Sequence, residues 1–245
     1  MRIDQQPAYL LHARPYRETS LLLEIFSRDH GRVGLIARGI RSARRYGQRA
    51  LLQPGRPLLM GWRDVAELPL MAAVDAGAVN PRIEGDGLLS LLYVNELLLR
   101  LLPRREPQDG LFGRYAWLLS LLVEPANRAE ALRRFESALL AACGYALPLE
   151  SLMDGRAIDP ELRYRYQPGE GLRCLPSSAM ARPGDVIGAA LVALEHDDPL
   201  EAEWLTPLRH LLRARISERL DGRPLQSWRL SGLLAGQRAG AGDGS

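Results

Sequence analysis

The chain contains no lysine, so each of its 32 basic residues is an arginine. Its positive charge is therefore carried by planar forks that grip phosphate or carboxylate through two hydrogen bonds. Cysteine is nearly as scarce: Cys143 and Cys174 lie far apart, a pattern that excludes a disulfide framework and fits free thiols in a reducing compartment. The opening Met1-Arg2-Ile3-Asp4-Gln5-Gln6-Pro7 lacks the apolar core of a signal peptide. Long apolar runs are missing too. The most hydrophobic stretch, Leu88 to Leu102, is broken by Asn95, Glu96 and Arg100, which suits a core helix and not a membrane span. A cytoplasmic protein with no membrane partner is expected. Aromatic residues make up only 6%, which limits how much base stacking a nucleic-acid reading can invoke.

The usual chemical signatures are absent as well. A structural zinc site needs four ligands at close spacing. Cys174 has no cysteine near it, and His12, His30, His196 and His210 do not pair at ligand spacing. No metal and no cofactor are expected. There is no phosphate-cradling glycine-rich loop and no Gly-x-Ser-x-Gly elbow. The carboxylate pairs Asp197-Asp198 and Asp154/Asp159 lie among loop residues and read as solvated turn positions sooner than as a nuclease metal site. No enzyme is expected.

What is present is a soluble globular composition of ordinary kind, 47% hydrophobic and 25% charged, in a chain of 245 residues. Residues 1–80 read as five short strands. They are centred on Ala8–Ala13 after Pro7, Ser20–Ser27, Val33–Ala37 with Gly34 marking a bulge or a close approach, Pro57–Trp62, and Ala66–Val74. Such a series suggests a small barrel or sandwich, and five is the strand number of the OB-fold. From about residue 85 the period becomes helical. Leu88, Leu92, Leu97, Leu98 and Leu101 make a helix apolar around most of its circumference, as in the centre of a bundle. A second helix is expected from about Leu111 to Val123. A third starts with Asn127 as N-cap and Glu130 three residues on, and ends at Gly144. Residues 148–182 lose the helical period and read as an inserted hairpin-like lobe. Helices resume at about Asp185–Leu194 and Thr206–Leu220. Residues 237–245 are rich in Gly and Ala and should be disordered.

The most informative feature lies between Arg28 and Arg56, where eight arginines face a single acid, Asp29, in a protein of net charge only +3. Its densest part runs Arg38-Gly39-Ile40-Arg41-Ser42-Ala43-Arg44-Arg45-Tyr46-Gly47-Gln48-Arg49. Gly39, Ser42 and Gly47 interrupt both strand and helix, so a loop between the third and fourth strands is expected. Such a loop can follow a phosphate backbone without reading bases; a solvated charge run is the plainer account. The candidate DNA-binding residues are Arg32, Arg38, Arg41, Arg44, Arg45 and Arg49. Tyr46, Tyr16 and Trp62 could add stacking, although Trp62 fits the core of so small a barrel better. A second basic feature is Arg133-Arg134 beside Phe135. It reads as a solvated helix face or, alternatively, as a dock for an acidic, partly apolar peptide, with Leu97 among the leucines of the pocket.

Several stretches resemble one bacterial family, the recombination mediator RecO. They are Leu11-His12-Ala13-Arg14-Pro15-Tyr16-Arg17-Glu18-Thr19-Ser20, Gly31-Arg32-Val33-Gly34-Leu35-Ile36-Ala37-Arg38-Gly39-Ile40-Arg41-Ser42, Tyr93-Val94-Asn95-Glu96-Leu97-Leu98, Leu132-Arg133-Arg134-Phe135-Glu136 with Gly144-Tyr145, and Leu220-Asp221-Gly222-Arg223-Pro224-Leu225-Gln226-Ser227. They fall in family order across nearly the whole chain. The resemblance implies an α+β protein: a five-stranded OB-fold barrel over residues 1–80, then an α-helical domain over 81–236 with a small zinc-finger-like lobe. Cys174 stands alone where many relatives carry two Cys-x-x-Cys pairs, so the lobe is expected to lack metal. The resemblance also implies a cytoplasmic, nucleoid-associated protein without turnover. Such a protein binds single- and double-stranded DNA, anneals complementary strands, engages the acidic C-terminal tail of single-stranded DNA-binding protein, and with RecR helps load RecA. Arg38 and Arg41 match basic residues of the family's DNA-binding loop, and Arg133 an arginine implicated in tail binding. From the residues alone, an OB-fold adaptor for RNA or an acidic protein without annealing activity stays open, as does a metal-dependent phosphodiesterase.

Overall fold

Apolar side chains at every second position, turned inward, build the five expected strands: β1 (Arg2–Tyr16), β2 (Ser20–Ser27), β3 (Gly31–Ala37), β4 (Pro57–Arg63) and β5 (Leu70–Ala76). In the computed structural model, which describes residues 1–64, 68–79, 82–108, 110–147, 152, 155–220 and 223–230, they close into a barrel in the order β1-β2-β3-β5-β4. The strand count, mixed pairing and order are those of an OB-fold. Antiparallel ladders join every neighbouring pair except β3 and β5, which meet in parallel at Ile36 and Leu70. The barrel is filled by Leu10, Leu23, Ile25, Leu35, Leu58, Met60, Trp62 and Val74, with Ile40 from the segment after β3.

β1 is longer than the sequence suggested because Pro7 lies inside it. The β1–β4 register shifts between Ile3 and Gln6, and a proline is tolerated beside such an irregularity. Gly34 carries no bulge, since the β2–β3 register is continuous. It leaves space instead: a Cβ there would lie 3.3 Å from the Glu24 carboxylate.

A second shift in β1, between Leu10 and His12, frees the Leu11 carbonyl from the ladder. That carbonyl accepts a hydrogen bond of 3.1 Å from Asn95 Nδ2 on helix α2 (Gly85–Leu101). The Asn95 side-chain oxygen in turn accepts 2.6 Å from the hydroxyl of Tyr115 on α3 (Leu111–Leu121). Both side chains are buried. Tyr115 also packs edge-on against Tyr9 and Phe26, with Phe112 completing the cluster on the outer face of β1 and β2. Burial raises the Tyr115 phenol from its ordinary pKa, so the hydroxyl stays a donor. α2 is thus no bundle centre: Leu91, Val94 and Leu97 are buried, while Leu88 and Leu92 face solvent.

By contacts the chain divides into two compact units, Met1–Val123 with the segment from Leu225, and Glu124–Pro224. The sequence-based boundary near residue 80 marks the change from strand to helix, whereas the contacts keep α2 and α3 with the barrel. In the same unit Glu96 accepts hydrogen bonds from the backbone N–H groups of Gln226 and Ser227.

The second unit holds α4 (Pro125–Ala142), a sheet of β6 (Arg163–Gln167), β7 (Gly171–Cys174) and β8 (Asp185–Ile187) in the order β7-β6-β8, and helices α5 (Gly188–Glu195) and α6 (Leu205–Arg219). α4 begins two residues before the expected cap, because Pro125 is pre-set for the first turn, and Asn127 makes no side-chain cap. Its end is as expected. Gly144 adopts φ +76°, and the N–H groups of Gly144 and Tyr145 reach the carbonyls of Ala141 and Leu140, closing a Schellman motif. The expected hairpin is β6–β7, but Asp185–Ile187, read as the start of a helix, is a third strand. Arg165 and Asp185 face each other across β6 and β8 in a bidentate pair of 2.6 and 2.8 Å. Neither Cys143 nor Cys174 is in a disulfide. No described helix is long and apolar enough to cross a membrane. Ala66 and Glu67 of the fifth expected strand, Asp154, the first residues of the expected lobe, Asp221-Gly222 and the tail 237–245 lie outside the described residues.

Replacing Asn95 with Leu should cost about 2–5 kcal/mol, because the Leu11 carbonyl and Tyr115 hydroxyl lose their partners; urea unfolding measures it, and adding Tyr115→Phe should recover part of the loss. The Arg165 guanidinium holds the Asp185 carboxyl below the usual carboxylate range. A folded-state pKa below the unfolded one stabilises fully above about pH 5 and less as pH falls through the folded value. The stability difference between wild type and Asp185→Asn should accordingly shrink in acid, as denaturant titrations across pH can show.

Candidate nucleic-acid interface

β3 delivers the chain at Ala37 into a turn built for exposure on one side and anchoring on the other. Gly39 takes φ +63°, and its carbonyl accepts bonds from the Ser42 N–H (3.1 Å) and Ser42 Oγ (2.7 Å). Ile40 is fully buried in the barrel core, which turns Arg38 and Arg41 on either side of it to solvent. The Arg41 N–H donates to the Thr19 carbonyl (2.9 Å), tying this turn to the one between β1 and β2.

Beyond it the expected loop is in fact helical: a 3₁₀ turn at Ala43–Arg45 leads into α1 (Tyr46–Leu51). Gly47 is tolerated inside α1 on an exposed face, at a cost of roughly 1 kcal/mol relative to alanine. Leu51 and Leu52 pack against the barrel core and give the helix a reason to form. The segment is therefore pinned by Ile40 at one end and by Leu51 and Leu52 at the other.

Arg38, Arg41, Arg44, Arg45 and Arg49 are all exposed, and among the described residues none is ion-paired; Arg45 Nη1 only reaches the Arg38 carbonyl at 3.2 Å. Arg32 stands apart from this set. Its guanidinium is half-buried, donating to the Leu102 carbonyl (2.9 Å) and to Glu24 (3.4 Å), which also pairs with Arg104. Burial lowers the Arg32 pKa from its ordinary value, and Glu24 opposes that shift. Arg28 pairs with Asp29. Of the candidate aromatics, Tyr46 is 73% exposed, whereas Trp62 is a core residue with the His30 ring edge-on at 5.2 Å.

A cleft of about 460 Å³ opens between the β1–β2 turn and the arginine turn, lined by Tyr16, Arg17, Glu18, Thr19, Arg38 and Gly39. The Arg17 guanidinium lies over the Tyr16 ring, 5.3 Å from its centroid. Of these residues, sequence reasoning singled out Tyr16 and Arg38 and missed Arg17; it also missed Arg14, exposed on β1 outside the cleft lining. For Arg14 a signal existed: after the bulge, His12, Arg14 and Tyr16 alternate along β1 with the period of an outward face.

The residues expected for an acidic tail are placed differently. Leu97 is fully buried on α2, in the first unit. Arg133 and Arg134 belong to α4 in the second, and they do not form the solvated face favoured from sequence. Arg133 is buried with Glu136 at 2.7 Å. Arg134 is buried between Glu130 (2.6 Å), Asp197 (3.0 Å) and the Asp198 carbonyl. Pairing at i,i+3 and i,i+4 lets both arginines lie beside Phe135 inside the unit. Asp197 is thus an ion-pair partner and not merely a turn residue.

The barrel topology and the exposed arginine array beside the β1–β2 turn place the first unit among OB-fold proteins, whose loops at this position commonly hold oligonucleotides. Residues 1–76 match the family model for Recombination protein O N terminal, and residues 84–229 match that for Recombination protein O C terminal. The chain is 39% identical to the DNA repair protein RecO of Xanthomonas euvesicatoria pv. vesicatoria (strain 85-10), over 97% of this chain and 100% of that one. It is 39% identical to the RecO of Stenotrophomonas maltophilia (strain K279a), again over 97% and 100%. With the RecO of Laribacter hongkongensis (strain HLHK9) the identity is 41%, over 92% of this chain and 93% of the relative. The chain belongs to the RecO family of DNA repair proteins.

Replacing Arg133 with Ala should remove the guanidinium paired with the buried Glu136 carboxylate and lower stability by about 3–5 kcal/mol. Chemical denaturation of the variant measures that cost, and any loss of partner binding has to be read against it.

Proposed function

We propose that the protein is a non-catalytic recombination mediator. It binds single- and double-stranded DNA, anneals complementary strands, and with RecR helps load RecA onto DNA coated by single-stranded DNA-binding protein, at the nucleoid. The observation that carries this reading is the set of exposed arginines, Arg38 to Arg49, none of them ion-paired among the described residues, held against an OB-fold barrel in a chain of this family. Guanidinium groups on a short pinned segment neutralise phosphates whatever the sequence, and annealing needs that indifference: both strands must be gripped, and neither read. Recruitment through the coating protein's acidic tail belongs to the same reading. Because Arg133 and Arg134 are committed to ion pairs inside the second unit, they serve it by holding that unit in shape.

Strand annealing on complementary DNA coated with the binding protein, with and without its acidic tail, tests the proposal. The wild type should accelerate annealing, and more so when the tail is present. Removing Arg38, Arg41, Arg44 and Arg45 together should weaken DNA binding and flatten the salt dependence by up to about 3 on single strands and about 4 on duplex. Unchanged affinity and slope would sink the arginine-segment reading.

A further inference from the structure

We propose that the cleft between the β1–β2 turn and the arginine turn is a subsite for one unpaired nucleotide, which makes this surface prefer single strands to duplex. The proposal rests on the DNA-binding reading and goes beyond it. The base lies against the Tyr16 ring, while Arg17 and Arg38 hold the phosphates beside it.

Four observations carry this. The cleft's volume of about 460 Å³ falls within the roughly 300–1,000 Å³ of small-molecule sites. Its lining combines the two groups that single-strand sites need, an aromatic face and cations at the rim. The ring already carries the Arg17 guanidinium at 5.3 Å, so a base added to it extends a cation–aromatic stack. The walls are also tied together, since Arg41 donates to the Thr19 carbonyl and Tyr16 pairs with Ser20 across β1 and β2. A pre-formed cleft loses little ordering entropy on binding.

Selectivity follows from geometry. In a duplex both faces of a base are stacked on neighbours, and only an unpaired nucleotide can offer a face to Tyr16. Glu18 lines the same cleft and repels phosphate, so the backbone runs along the Arg17–Arg38 side. The arginines of α1 and the 3₁₀ turn make no such distinction and serve either form of DNA.

Arg17 supplies a clean variant. It holds φ +54°, a left-handed conformation that glycine adopts without strain. Arg17→Gly therefore deletes the guanidinium while suiting the turn, and its thermal midpoint should equal or exceed that of the wild type. The experiment measures affinity by fluorescence anisotropy for a labelled oligothymidylate, a duplex of the same length and an abasic strand of the same length. Tyr16→Ala should weaken oligothymidylate binding roughly 5- to 150-fold and leave duplex binding within about twofold of wild type. Arg17→Gly should weaken it in the same direction, and the abasic strand should bind wild type no better than thymidylate binds Tyr16→Ala. Equal losses on single strand and duplex, no loss in either variant, or an abasic strand that binds as tightly as thymidylate would each overturn the subsite. Those outcomes leave the DNA-binding reading standing; that reading falls only if the fourfold arginine variant also keeps its affinity for both forms.

Discussion

A carbonyl turned out of a β ladder and then buried must find a donor, and in this protein that requirement fastens the helices to the barrel. β1 pairs with both β2 and β4, and a strand that long can close a small barrel only by bending. The bend leaves the Leu11 carbonyl facing outward, and Asn95 satisfies it. Because Asn95 is itself fixed by Tyr115, the curvature of β1, the docking of α2 and the seating of α3 form one coupled arrangement. The aromatic cluster of Tyr9, Phe26, Phe112 and Tyr115 covers the outer face of the two strands that lead into the β1–β2 turn.

The electrostatics follow a division of labour among chemically identical side chains. Glu24 collects Arg32 and Arg104, Asp29 takes Arg28, and Asp64 takes Arg105. In the second unit Glu136, Glu130 and Asp185 hold Arg133, Arg134 and Arg165. These acids are spent on arginines that shape the fold, and none is ion-paired to the array from Arg38 to Arg49. A molecule with a formal net charge of +3 can thus present a strongly positive surface in one place.

Much of the barrel was legible in the sequence, because short apolar runs of strand formers between turn residues are a local signal: β2 falls on Ser20–Ser27, as that run indicated, and the arginine segment follows β3. What was hidden depends on partners distant in the chain. The first part of β1 was obscured by Pro7, whose place is acceptable only because the ladder shifts beside it. The helix at Tyr46–Leu51 looked like a loop, since Gly47 marks the local preference and the contact of Leu51 and Leu52 with the barrel overrides it. Arg133 and Arg134 read as surface residues because charge predicts exposure, and their acceptors Glu130 and Glu136 were visible in sequence only as neighbours of unknown direction. Asp185–Ile187 followed the helical pattern of α5 too closely to be separated from it without its partner strand. Arg17 was hidden for a different reason, as its position over Tyr16 depends on a left-handed residue that no propensity favours.

The double anchoring of the arginine segment determines how this protein meets a polyanion. A basic tail free at one end can sweep a volume and catch a partner at a distance before drawing it in. Held by Ile40 at one end and by Leu51 and Leu52 at the other, this segment has no slack to cast. Its capture radius is that of its field, about 8–10 Å at physiological ionic strength. An encounter is therefore decided within one screening length of the barrel wall, where an arriving strand is already beside the Tyr16–Arg17 turn.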